Sequence, residues 1–254
     1  METEELRRRM AALPMPPESR PPEWDYWRAD LHNCVMTSEP EDFTKWPVIR
    51  HTMLMDHLPI ESSWQIVFPH IKHYRNAIAP PVVGVPDWYN GYSRTMVEQC
   101  AFVANWEKHS QREITDLDVI VELGGGYGTM ALLARRLGFE GKYVIFDFPE
   151  MMLFQKWFLD KHDIEVDHIT SLDSTKKIYA DMLIAIDSIS ETPFAFRREF
   201  LSKTSVSNFL FRYSPTWGDY DNAAYFNNLR AKRGELMWHE WFAKGWVSTG
   251  LVGW

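Results

Sequence analysis

The chain has 254 residues, 45% of them hydrophobic, with 27 Lys and Arg against 35 Asp and Glu for a formal charge of −8. That length accommodates one α/β domain of about 150 residues plus an appended helical segment, and the acid excess argues against a nucleic acid as partner, since phosphate neutralisation wants clustered Lys and Arg. Cys34 and Cys100 are too isolated for a disulfide framework or a zinc site. No apolar run approaches the roughly 18 residues of a membrane span and the charged N-terminus has no signal-peptide core, so a cytoplasmic chain without a membrane partner is expected.

Glu2 to Leu13 reads as a short charged helix whose Arg7 to Arg9 triplet, beside Glu2, Glu4 and Glu5, is a solvated face. Pro14, Pro16, Pro17, Pro21 and Pro22 then predict an extended arm. Trp24 to Val35 reads as helical, and Ser62 is placed to cap a helix carrying Trp64, Ile66, Val67 and Ile71 that Pro69 should kink or divide. PPVVGVP at 80–86 must be extended, and Ser93 opens a helix with an apolar stripe of Met96, Val97, Cys100, Val103 and Ala104. The division expected is an N-terminal arm and helical lid over 1–90, followed by a core over 91–254. Trp24, Trp27, Trp46, Trp64 and Trp88 all precede the core, and one or two of them are expected to line an acceptor site while the others pack.

The run from Asp118 to Glu150 is the most informative segment. Val119, Ile120, Val121 and Leu123 form a β-branched run suited to a strand buried on both faces of a parallel sheet. Gly124, Gly125, Gly126 and Gly128 follow, lacking the Cβ that would hold a ligand off the backbone. Met130, Leu133, Ala134 and Leu137 recur at helical spacing until Gly138, and Tyr143 to Phe146 make a second buried strand ending in Asp147. An acid about 20 residues beyond the glycines is placed to accept hydrogen bonds from a ribose diol. A dinucleotide fingerprint would need glycine where Thr129 stands; the register that fits is acid-x-G-x-G-x-G, through Glu122, Gly124, Gly126 and Gly128.

Strand and helix keep alternating: a helix from Pro149 to His162, a strand from Ile164 to Ile169, another from Asp181 to Ile186 ending in Asp187, a helix from Phe194 to Lys203 and a strand from Val206 to Phe211. This spacing implies a doubly wound, mostly parallel sheet with right-handed crossovers. Asn222 to Lys232 reads as helical, and Leu236 to Phe242 with Trp246 to Val252 as a closing hairpin.

The acid-x-G-x-G-x-G register with Asp147 resembles the first motif of the class I S-adenosylmethionine (SAM) dependent methyltransferases. ELGGGYGTMALL at 122–133, YVIFDFPEM at 143–151 and DMLIAIDSISETP at 181–193 are closest to the family designated sugar O-methyltransferases. The resemblance implies a Rossmann-like α/β fold with an N-terminal helical extension. It also implies SAM as cofactor, held by Glu122, Gly124, Gly125, Gly126, Gly128, Asp147, Phe148, Asp187 and Ser188. The activity implied is O-methylation of a hydroxyl on a sugar or sugar-bearing small molecule. A small-molecule or peptide methyltransferase of another acceptor class, or a non-catalytic SAM-binding partner protein, remains the alternative, and a homodimer is compatible with either.

A sugar hydroxyl is a weak nucleophile, so a general base is expected. Glu191 is favoured because the loop after strand four faces the methyl group, although a carboxylate at a helix N-terminus has its own stabilising reason to be there. Asp187 and His239 are the other catalytic candidates, and His168 is more often structural. Asp187, Asp219 and Asp221 could hold Mg2+, but WGDYDN is a turn that collects Asp for backbone reasons, so no metal is expected.

Overall fold

A computed structural model describes residues 1–20, 23–54, 60–84, 88–173, 176–242 and 248–254. Pro21, Pro22, Pro86 and Trp246, which carry expectations above, lie outside the described residues.

Eight helices of seven residues or more are described: α1 (Thr3–Ala11), α2 (Trp24–Thr37), α3 (Glu61–Val67), α4 (Arg94–Ser110), α5 (Thr129–Arg136), α6 (Pro149–Asp160), α7 (Phe194–Lys203) and α8 (Asn222–Lys232). The main sheet has seven strands: β1 (Val119–Leu123), β2 (Lys142–Phe146), β3 (Asp167–Ile169), β4 (Ile178–Ile186), β5 (Thr204–Tyr213), β6 (Trp238–Phe242) and β7 (Thr249–Gly253). Their order is β3-β2-β1-β4-β5-β7-β6, and β7 alone runs antiparallel to its neighbours. This is the doubly wound, mostly parallel α/β sheet that the alternation predicts, with the order reversing between β1 and β4.

Because side chains alternate along a strand, the sheet buries two separate apolar layers. Ile120, Tyr143, Ile145, Ile184 and Leu210 face α4, α5, α6 and the N-terminal segment. Val121, Leu123, Phe146, Leu183, Phe209 and Phe211 face the other way, toward Phe200 of α7 and Phe226 of α8. The residues before 90 are not a separate core. Leu6, Met10, Leu31, Val35, Phe43 and Trp46 share the first layer with Phe154 and Phe158 of α6.

One buried ion pair fixes α2 to α6. Arg28 donates through Nε and Nη2 to the two oxygens of Glu150 at 3.0 Å each, and through Nη1 to Asp25 at 2.6 Å. The Glu150 side chain is 1% exposed, so this forked pairing is what makes its burial tolerable.

Local signals hold with small shifts. Ser93 caps α4 by accepting from the Met96 amide at 3.4 Å, and Pro149 occupies the first turn of α6. Ser62 is not a cap: α3 starts one residue earlier, after Ile60. Pro69 divides this region as expected, into α3, a 3-10 turn at Phe68–His70 and a turn of helix at Ile71–Tyr74. Strand three is shorter than predicted, starting at Asp167, and strand four longer, because Ile178 to Ala180 pair with Thr204 to Val206. Replacing Arg28 with Met should leave Glu150 buried without its partner and cost about 3 kcal/mol in urea unfolding, whereas an unchanged midpoint would mean that the helix is held by apolar contacts alone.

Candidate functional site

The site forms where the strand order reverses, at the carboxyl ends of β1 and β4, as ligand sites in open α/β sheets do. A cavity of about 530 Å³ opens there, a volume ordinary for a small-molecule site. Glu122, Gly124, Gly125, Gly126, Asp147, Phe148, Asp187, Ser188 and Glu191 all line it. Gly128, also expected to contact a cofactor, does not line it; it is the residue before α5, with φ +100°.

The glycines do two different jobs. At Gly124, φ is +71° and an added Cβ would lie 2.4 Å from Cβ of Ser188, so this glycine lets the tips of β1 and β4 close on each other. The Ser188 hydroxyl completes that contact by donating to the Leu123 carbonyl. At Gly126, φ is +54° and a Cβ would meet only Cγ and Sδ of Met53, at 3.7 Å. Here the missing side chain leaves room for a ligand beside bare backbone.

Asp147 stands at the tip of β2. Its Oδ1 accepts from the Phe148 amide at 2.8 Å and its Oδ2 from Gln155 Nε2 at 2.6 Å, and the Gly125 amide also donates to this carboxylate, which leaves it acceptor capacity for a further donor. Gln155 also donates to the Gly126 carbonyl at 2.9 Å, tying the glycine loop to the acid. Sequence reading passed over Gln155; the available signal was one polar residue inside the apolar run of α6, where it is fully buried. Gln99 of α4 was also missed: it lines the cavity and donates to Thr129 at 2.8 Å.

Three of the acids are short of solvent. Burial pushes Glu122 up to about 8 although the Tyr143 hydroxyl donates to it at 2.8 Å. Asp147 rises to about 7, again chiefly through burial. Glu191 rises to about 8, through burial first and then the negative charge of Asp187. Asp187 is different. Its Oδ2 takes Nε of Arg212 at 2.7 Å and Nη2 of the same guanidinium, while Oδ1 is buried with no hydrogen-bond partner among the described residues. Asp187 is thus the counter-charge of the buried Arg212 cation, a structural commitment that sets it apart from the catalytic role expected of it.

His239 does not belong to the site. It lies on β6 in the same cross-strand row as Glu122 but four strands away, about 19 Å at a strand spacing of about 4.8 Å. There it stacks on His109 with ring centres 3.7 Å apart. The reason is topological: β7 inserts between β5 and β6 and carries the hairpin's first strand to the sheet edge. His168 sits on β3 and lines a cleft with Lys156 and Asp160 outside the site, with burial lowering it to about 4. Asp219 lines no part of the cavity, and Asp221 caps α8 by accepting from the Ala224 amide at 2.9 Å. Among the described residues no cluster of three or more His, Cys, Asp or Glu is arranged to hold a metal ion.

Of the five early tryptophans, Trp24 alone lines the cavity. Its Nε1 donates to Glu191 Oε2 at 2.9 Å and its ring lies 6.2 Å from Phe148. Trp27 stacks on His51, Trp46 packs against Phe154, Trp64 sits among Phe68, Tyr89 and Tyr92, and Trp88 is exposed.

No protein-family model matches the chain, and no curated protein matches it. Solved structures of similar fold include an O-methyltransferase family protein from Burkholderia thailandensis, 16% identical, with 62% of this chain and 59% of that chain covered at a TM-score of 0.40. A candidate RNA methyltransferase from Pyrococcus horikoshii is 13% identical over 72% of this chain and 94% of that one, at 0.44. The 16S rRNA methylase ArmA is 10% identical over 59% and 85%, at 0.39. Likenesses this distant speak to the fold alone. They do correct one expectation. Chains of similar fold include a candidate RNA methyltransferase and an rRNA methylase, so the expected absence of a nucleic-acid partner does not stand.

Two outcomes test the geometry. Gly124→Ala should destabilise the fold by about 2 to 4 kcal/mol, since it adds a clash with Ser188 to the strain of positive φ, whereas Gly126→Ala should cost only the strain, about 1 to 2 kcal/mol; equal melting shifts would mean that both glycines serve the same purpose. Asp147→Ala should weaken SAM binding by about 1.5 to 3 kcal/mol in calorimetry, and unchanged affinity in a folded variant would remove Asp147 from the site.

Proposed function

We propose that this protein is a SAM-dependent methyltransferase, and that its acceptor is a hydroxyl, on a sugar or sugar-bearing small molecule. The observation that carries the reading is the meeting, in one cavity at the sheet's reversal point, of a glycine loop open at Gly126, the acid Asp147 with acceptor capacity to spare, and the half-buried acid Glu191.

The residues present suit SAM. Asp147 would accept from the ribose diol, and the unpartnered Oδ1 of Asp187 would accept from the ammonium of the methionine part. The bare backbone at Gly126 would lie against the ligand, and Phe148 at the rim offers an aromatic face. When bound, SAM supplies a methyl group made electrophilic by its sulfonium.

What remains for the chain is to hold an acceptor oxygen in line and to take its proton. Glu191 is the residue in place to do so. Its raised proton affinity makes it a stronger base than an exposed carboxylate, at the cost of being mostly protonated at neutral pH. The apolar face of Trp24 on the cavity wall suits the C–H face of a sugar ring, and it comes from the segment before residue 90 that was expected to shape the acceptor site. The sugar itself rests on the likeness of residues 181–193 to the sugar O-methyltransferases.

The test is release of S-adenosylhomocysteine with a panel of sugars, sugar-bearing metabolites, peptides and RNA transcripts. Failure to bind SAM overturns the reading, and turnover confined to RNA transfers the acceptor to nucleic acid. For the base, the sign is set by the acid form: Glu191 must lose its proton to act, so kcat/KM should rise with pH and level off above about 8. Glu191→Gln should lower kcat by about 100-fold or more and abolish that limb, while leaving SAM affinity unchanged.

A further inference from the structure

Glu191 is held by a residue from outside the sheet. Among the described residues the one hydrogen bond to its carboxylate comes from the Trp24 indole, 167 positions earlier, which reaches Oε2 at 2.9 Å. Trp24 is the first residue of α2, and its place is fixed twice over. Its ring packs near Phe148, and one turn along the same helix Arg28 is clamped to the buried Glu150 while its guanidinium lies 4.6 Å over the Phe148 ring. The charged groups facing Glu191 from the sheet are Asp187 at the end of β4 and Arg212 on β5, and these two are paired with each other. Trp24 is thus the neutral donor that decides which way the carboxylate points.

We propose that Trp24 is a positioning residue for Glu191: its indole N–H holds one carboxylate oxygen so that the other meets the acceptor hydroxyl. This rests on the reading of Glu191 as the general base. An N–H donor favours the charged carboxylate over the neutral acid, so removing it should make Glu191 harder to ionise. A tryptophan that merely packs would change stability and leave the pH profile alone.

The experiment measures kcat/KM against pH, SAM affinity and melting temperature for the wild type, Trp24→Phe, Trp24→His, Glu191→Gln and the Trp24→Phe/Glu191→Gln double variant. Trp24→Phe should move the acid limb upward by about half a pH unit, which at pH 7 means about threefold less ionised base. SAM affinity should stay within about twofold, and Trp24→His, which keeps a ring N–H, should recover part of the shift. In the Glu191→Gln background Trp24→Phe should cost less than in the wild type, only what its ring contributes to acceptor contact. The inference is overturned if the limb stays in place or moves down in Trp24→Phe, or if that substitution costs as much in the Glu191→Gln background as in the wild type. Should Trp24→Phe not fold, Trp24→Leu gives the same comparison against Trp24→His. If instead Glu191→Gln keeps both its rate and its acid limb, the base assignment itself falls and takes the inference with it, an outcome distinct from failure at Trp24 alone.

Discussion

Everything at the site depends on how closely two strand tips approach. A methyl group at Gly124 would overlap Ser188, so β1 and β4 can sit side by side at their carboxyl ends only because position 124 carries no side chain. That contact sets the floor of the cavity and brings the acids of three different strand ends, Glu122 and Asp147 on one side and Asp187 on the other, around one space. The glycine-rich run therefore reads in two parts. Gly124 serves the fold, and Gly126 leaves open the space a ligand would use.

Electrostatics at the site follow from what each acid touches. Burial favours the neutral forms of Glu122, Asp147 and Glu191, although Arg212 acts on Glu191 in the opposite sense. Asp187, a few residues from Glu191, is bound to a buried guanidinium through one oxygen, while the other has no hydrogen-bond partner among the described residues. Two carboxylates from one loop thereby sit in different electrostatic surroundings, and Arg212, paired with Asp187, is the residue that separates them.

The N-terminal segment is joined to this arrangement by polar contacts that no local pattern announces. Arg28 to Glu150 and Trp24 to Glu191 cross 122 and 167 positions of chain, and both end on residues at or beside the cavity. An apolar layer shared with α6 lies beneath them, so α2 is part of the fold and also part of the site wall.

The sequence by itself determined the elements that have a period or a punctuation mark. The β-branched runs at 119–123 and 143–146, the glycine turn, the stripe after Ser93, Pro149 opening α6 and the alternation that requires a parallel sheet were all legible, because each is a local property of a few consecutive residues. Short or polar strand ends were not: Ile178 to Ala180 join β4 only because β5 offers backbone partners. Strand order was beyond the sequence too, and it alone removed His239 from the site by placing β7 between β5 and β6. Gln155, Arg212 and Trp24 meet partners distant in the chain, Gly126 for one, Asp187 for the next and Glu191 for the last. A side chain's type shows what it can bond, and only the folded chain decides what stands within reach of it.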